Sequence, residues 1–177
     1  MPIVETAHLE LRHFSLDDLD QFASLLADPD VVRHVGNGLP IPRDEAEIAL
    51  QSIIRHWTEH GFGRWLAIER ESQAFAGFGG LRSLMGTPEV VYHFWKSFWG
   101  KGFATELARA SFKFGFEEHN FERIIAVAKP ENTASIRVME KAGMCFDART
   151  SYYDIEVIQY QILREQFQKH SDHYRLH

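Results

Sequence analysis

Cysteine occurs once in the 177 residues, at Cys145, which excludes an intramolecular disulfide framework and suits a reducing compartment. No apolar run approaches the ~18–20 residues of a membrane-crossing helix, so no membrane partner is expected. The start, Met1-Pro2-Ile3-Val4-Glu5, does not read as a signal peptide, and the expectation is a cytoplasmic protein. Positive charge is in deficit. With 19 Lys and Arg against 25 Asp and Glu, the formal net charge is −6, which argues against nucleic acid as a direct partner. The balance is compatible with a basic acceptor without identifying one. Among ten histidines there is no H-E-x-x-H array. His56 and His60, four residues apart, could share a stray metal ion on one helix face but read as a solvated face, so no metal is expected.

What is present describes a packed domain. An apolar content of 45%, with 14 phenylalanines, argues against disorder. No repeat or linker divides the chain. The expectation is one domain over 1–177, with its core at about 8–164 and a polar C-terminal tail over 165–177.

The most informative stretch is Trp99-Gly100-Lys101-Gly102-Phe103-Ala104-Thr105-Glu106. It joins a β-like run, Glu89 to Trp95, to a helical run, Gly102 to Glu118. Glycines and small residues at such a junction leave backbone N–H groups open at a helix start, a place for a phosphate. The spacing is not that of a P-loop, because Gly102 stands where the metal-binding hydroxyl belongs. It is not a dinucleotide fingerprint either, because Thr105 takes the third glycine position and no early βαβ unit surrounds it.

Periodicity places the other elements. Residues 8–14 alternate as a strand, and Ser15 with Asp18 reads as a helix start before Leu19, Phe22, Ala23 and Leu26. A Gly/Pro-rich loop over 36–42 precedes a second helix bearing Ala46, Leu50, Ile53, Ile54 and Trp57. Strands at about 62–70, 75–84 and 89–95 form an antiparallel meander. Phe103, Leu107, Ala110 and Phe114 stripe the next helix. Ile124 to Ala128 suits a strand covered on both faces. Asn132 and Gly143 cap the following helix. Strands near 145–153 and 156–164 close the order, with Tyr152, Tyr153 and Tyr160 as strand aromatics, and residues from Leu163 onward read as a short helix and frayed tail. Periodicity alone supports an α/β or α+β fold.

The motifs together resemble the GNAT N-acetyltransferases, and within them the Rim-type branch named for ribosomal-protein N-terminal acetyltransferases. Trp99, Gly102 and Ala104 occupy the places of the family's [QR]-x-x-G-x-[GA] loop, with Trp99 departing from the usual Gln or Arg. Pro130-Glu131-Asn132 through Gly143 resembles P-x-N-x-x-S-x-x-(V)-x-E/K-K-x-G-F, with Met144 in place of the last Phe. Asp28-Pro29-Asp30-Val31-Val32-Arg33-His34 resembles D-P-x-V-x-R-Y, and Gly61 to Leu81 resembles the central hairpin. The matches span roughly 8–164. The resemblance implies a mixed α/β, mostly antiparallel, V-split sheet of about seven strands flanked by helices.

It also implies chemistry. Acetyl-CoA would lie between the splayed strands at 89–95 and 124–128. Its pyrophosphate would meet Trp99, Gly100, Lys101, Gly102, Phe103, Ala104 and Thr105, although Lys101 reads equally as a solvated loop lysine. Backbone N–H groups at a bulge near Phe94 or Trp95 would polarise the thioester carbonyl. Asn132 would cap its helix and touch the cofactor arm. Ser135 would give the departing thiolate a proton, unless it is an ordinary first-turn serine. Base candidates are Asp154, Glu89 and His93, with Asp154 the first choice. Arg33, His34 and Trp65 would line the acceptor side. The acceptor is a primary amine, either a protein N-terminus or a small molecule. Dimers are frequent in the family, so a homodimer is among the implied assemblies. The competing reading is a non-catalytic acyl-CoA-binding or sensing domain of the same fold.

Overall fold

The computed structural model describes residues 3–167 and 173–177. Its chain order is β1 (Val4–Thr6), β2 (Leu9–Arg12), α1 (Leu19–Leu26), α2 (Pro29–Val32), α3 (Arg43–His60), β3 (Arg64–Glu69), β4 (Phe75–Leu84), β5 (Thr87–Phe94), α4 (Phe103–Glu117), β6 (Arg123–Ala128), α5 (Thr133–Ala142), β7 (Cys145–Tyr152), β8 (Ile155–Leu163) and β9 (Tyr174–Leu176). The strands form one sheet in the order β7-β8-β6-β5-β4-β3-β2-β1-β9, antiparallel throughout except where β5 meets β6.

Each face of the sheet carries its own core because side chains alternate along every strand. On one face Trp65, Leu81, Val90 and Phe94 pack with Leu107, Phe112 and Phe114 of α4. On the other, Leu66 and Phe78 pack with Phe22, Leu25, Leu50 and Ile53 of α1 and α3. Helix ends follow local chemistry. Gly61 (φ 74°) ends α3 with its N–H on the Trp57 carbonyl, Asn132 Oδ1 caps α5 through the Ser135 N–H, and Gly143 (φ 99°) ends α5.

The sheet holds nine strands where about seven were expected. The additional pairing lies at one edge, where Tyr174–Leu176 is a strand instead of a frayed tail. Its backbone satisfies the outer edge of β1, with Val4 opposite Leu176 and reciprocal Ile3–His177 hydrogen bonds of 3.1 and 2.9 Å. The rest of the expected tail, residues 168–172, lies outside the described residues.

The functionally decisive irregularity is in the middle of the sheet. β5 pairs with β4 from Thr87 to Phe94, whereas its parallel register with β6 is at Glu89↔Ile125. Past that point the two strands have no registered pair, and a cleft opens between their C-terminal halves.

Candidate active site

The cleft begins with the backbone of β5. The Trp95 N–H donates to the Ala76 carbonyl at 3.0 Å. N–H groups point alternately to the two edges of a strand, so the Phe94 N–H and carbonyl point the other way, toward β6. This narrows the expected Phe94 or Trp95 pair to Phe94, since the Trp95 N–H is spent within the sheet. The expected bulge is absent there, because β4–β5 pairing runs without a register shift through Gly77↔Phe94. The Phe94 carbonyl accepts the indole N–H of Trp99 at 2.8 Å, tying the strand end to the loop that follows.

That loop presents an anion cradle. Gly100 and Gly102 sit at φ 76° and 86°, in the left-handed region that favours glycine, and a Cβ on either would meet no protein atom within 4 Å. Gly102 is the N-cap of α4 and supplies no side-chain cap, so the first N–H groups of the helix, at Phe103, Ala104 and Thr105, lack intrahelical partners. Phe103 is only 5% exposed and anchors the helix in the core, leaving its N–H as the useful group. Lys101 Nζ lies 3.3 Å from Glu69 Oε1 and 4.8 Å from the Phe98 ring centroid, so part of its charge is already met. Glu106 fixes the cradle against the β1–β2 turn by accepting the His8 N–H (2.7 Å) and contacting His8 Nδ1 (2.9 Å). Burial opposes its ionisation, but bonds from Thr6 and His8 outweigh it and hold the carboxyl below its usual range.

The opposite wall is α5. Ser135 Oγ lies 2.9 Å from the Tyr92 hydroxyl, which is also 3.1 Å from the Ser135 carbonyl. This contact crosses from β5 to the helix after β6. Burial pushes the Tyr92 phenol up, so it is a neutral hydroxyl at any physiological pH. Tyr92 went unremarked in the sequence. Its signal was alternation, which puts it on the same face as Phe94 and α5.

On the other side of the sheet, α2 and the loop after it are tied over the strand ends. Asp30 Oδ2 meets Lys96 Nζ at 2.9 Å, and the Gly36 carbonyl accepts Lys129 Nζ at 2.7 Å. Arg33 is exposed and His34 half-buried on this tethered segment. Trp65 does not join them. It is 0% exposed and packs against Trp57 and Phe114, so the expectation that it lines the acceptor side is corrected: it is a core residue.

The base candidates separate clearly. Asp154 lies at the exposed β7–β8 turn, following Tyr153, with φ 61° and 51°, and no hydrogen bond or ion pair holds its carboxylate. That corrects its place as first choice, because nothing orients it toward the cleft. Glu89 is 1% exposed and bonded to Arg82 Nε; burial pushes its carboxyl up while Arg82 and Arg64 oppose. His93 stacks on Phe78 (4.8 Å). Burial, reinforced by Arg64 and Arg82, lowers it to about 4, so it is neutral at pH 7. His56 is occupied by the Phe62 carbonyl (2.8 Å) and the Ser83 N–H (3.3 Å). Among the described residues no group of three or more His, Cys, Asp or Glu could hold a metal ion, and no helix is long and apolar enough to cross a membrane.

Comparison with known proteins agrees with this geometry. Residues 8–145 match the family described as Acetyltransferase (GNAT) domain. The chain is 34% identical over 149 residues to the uncharacterised protein YkkB of Bacillus subtilis (strain 168), covering 78% of this chain and 83% of that one. It is 26% identical over 176 residues to the uncharacterised N-acetyltransferase p20 of Bacillus licheniformis, covering 94% and 99%. Among solved structures, a GNAT-family acetyltransferase from Bacillus anthracis superposes with a TM-score of 0.80 at 26% identity, covering 92% of this chain and 99% of that one. RimL, a ribosomal L7/L12 α-N-protein acetyltransferase in complex with coenzyme A, shares the fold with a TM-score of 0.77 at 15% identity, covering 91% and 97%. The chain belongs to the GNAT family and is an N-acetyltransferase.

Proposed function

We propose that the chain moves the acetyl group of acetyl-CoA directly onto a primary amine bound in the same complex. The observation that carries this reading is the splay of β5 from β6 past Glu89↔Ile125, with the Phe94 N–H, the uncapped start of α4 and the Tyr92–Ser135 pair around it. When bound, acetyl-CoA supplies a thioester whose acyl carbon is open to an amine. The residues fit its anionic end: the N–H groups of Phe103, Ala104 and Thr105 receive the pyrophosphate in front of Gly100 and Gly102, with Lys101 adding charge. Trp99 holds the loop to Phe94, and Asn132 touches the cofactor arm while capping α5.

The Phe94 N–H donates to the carbonyl oxygen as negative charge builds there. Ser135 Oγ–H gives a proton to the departing thiolate, and the Tyr92 hydroxyl keeps that Oγ in place. Arg33 and His34 face the incoming amine. An α-amine, with a pKa of ~7.7–8.0, is partly neutral at pH 7, so its proton can leave to solvent without a held base. A lysine amine, near ~10.4, would need more help.

Calorimetric titration with acetyl-CoA, repeated on Gly102→Val, tests the cradle. Wild type should bind with a Kd in the micromolar range, and valine should weaken binding by at least about 100-fold. Because a Cβ at residue 102 meets no protein atom, the valine protein should remain folded, at a cost of about 1–2 kcal/mol for the left-handed φ. Thiol release across a panel of amines then tests turnover. Absence of acetyl-CoA binding by folded wild type would overturn the reading.

A further inference from the structure

The sheet face that carries Leu66 and Phe78 also bears charge. Strand register aligns Arg64 with Gly80 and Gly80 with Val91. Arg82 lies opposite Glu89, and Phe78 opposite His93. Residues opposite each other, or two apart on a strand, share a face. Arg64, Gly80, Arg82, Glu89, Val91 and His93 therefore lie together. Gly80 must remain without a side chain, because a Cβ there would sit 2.4 Å from the Gly63 carbonyl oxygen.

Two guanidinium groups on this face stand against one carboxylate, and that carboxylate is committed to Arg82. Among the described residues no hydrogen bond or ion pair holds the Arg64 guanidinium, and the buried His93 Nδ1 has no hydrogen-bond partner. Protein surrounds Arg64 on nearly all sides, yet the residue keeps some solvent-accessible surface, as expected of a side chain at the floor of a recess. Burial, with Arg82 nearby, lowers its pKa to about 10, so it is still a cation at pH 7. A cation enclosed without a counter-charge is destabilising unless something outside the chain compensates it.

We propose that this recess receives a carboxylate of the acceptor, which makes the substrate an amine that also bears a carboxylate, in its simplest form an amino acid. The proposal rests on the acetyl-transfer reading and names its substrate class. Arg64 can take a carboxylate through its fork of N–H donors, and His93 can add another through Nδ1. Val91, in line with Arg64, is three residues from Phe94, or ~10 Å along the strand, a span that an arginine side chain and a small amino acid can cover together. A polyamine or aminoglycoside would instead bring cations toward Arg64 and Arg82, a like-charge contact that selects against it.

The test uses binding, so that it does not depend on turnover. A panel of N-acetyl-amino acids and their carboxamides, as product probes, is titrated into CoA-loaded protein. At least one carboxylate should bind about tenfold or more tighter than its carboxamide, because the amide leaves the buried guanidinium without its charge partner. Arg64→Met should erase that difference, while Arg64→Lys keeps part of it. The wild-type comparison needs no variant, so misfolding of the methionine protein would not spare the idea. Equal affinity for carboxylate and carboxamide overturns it, as does a preference that survives Arg64→Met. N-acetylglutamate α-amide separates a side-chain carboxylate from a main-chain one. Carboxylate preference without thiol release from any amine would end the acetyl-transfer reading and keep the anion recess; thiol release without the preference would do the reverse.

Discussion

The Trp99 indole N–H and the Phe94 carbonyl, 2.8 Å apart, join the two halves of the donor site: the loop before α4 and the strand end whose N–H faces the cleft. Trp99 is half exposed, so burying apolar surface does not explain its place. Replacing it with Phe removes the donor and keeps most of the ring. A lost hydrogen bond of about 1 kcal/mol corresponds to about fivefold, and that loss should fall mainly on kcat through a less firmly held Phe94. Steady-state thiol release, with acetyl-CoA affinity measured in parallel, checks this. A change confined to affinity would make Trp99 part of the phosphate cradle alone.

The Tyr92–Ser135 contact makes a prediction about pairs of substitutions. Ser135→Ala should lower kcat by about 10–100-fold, toward the low end for general-acid catalysis because a thiolate, whose thiol has a pKa near 8.5, is already a fair leaving group. Tyr92→Phe should cost about threefold to tenfold, since it removes the group that holds Ser135 and not the proton itself. If Tyr92 acts through Ser135, adding Tyr92→Phe to Ser135→Ala changes kcat little further. Independent, multiplying losses would assign the tyrosine a separate task.

Asp154 should prove dispensable. Its carboxylate stands at an exposed turn with nothing to orient it. Asp154→Asn should change kcat/KM by less than about twofold across pH 6–9, as expected of a surface residue without a partner. A loss beyond about tenfold that grows as pH falls would restore it as the base, because a base must be deprotonated to act.

What could be read from the sequence was mostly local. The stripe Phe103, Leu107, Ala110, Phe114, the apolar run Ile124 to Ala128, and the caps at Asn132 and Gly143 all stand in the structure as their spacing implied. Contacts between distant residues were not legible. A three-residue strand at 174–176 is too short for alternation to distinguish from a tail, and only the free edge of β1 makes it a strand. Alternation assigned Trp65 to a strand without saying that its face was the sealed one. Tyr92 and Ser135 meet across 43 residues of chain, and Arg64 acquires significance only through what fails to pair with it. Glu89 was rightly noticed as an unusual carboxylate, but Arg82 opposite it on β4 decides what it does.

Asp18 gives the clearest pH dependence of stability. It accepts Arg12 Nη1 and Nη2 at 2.9 and 2.7 Å, the Ser15 N–H at 2.8 Å and Gln21 Nε2 at 2.7 Å, fastening the end of β2 to the start of α1. Burial alone would raise its pKa; the bonds from Arg12, Ser15 and Gln21 outweigh that and hold it below the usual carboxylate range. A folded pKa below the unfolded value, about 3.9, means the charged form stabilises the fold. That contribution is complete above the unfolded pKa and disappears as pH falls through the folded one. Asp18→Asn should therefore cost about 1–3 kcal/mol at pH 7 and much less under strongly acidic conditions, where the wild-type carboxyl is also neutral. Urea titrations of both proteins followed by circular dichroism from pH 7 downward measure the gap. Convergence of the two curves below about pH 4 is expected from the linkage; a gap that stays constant would mean that shape, and not charge, fastens α1 to the sheet.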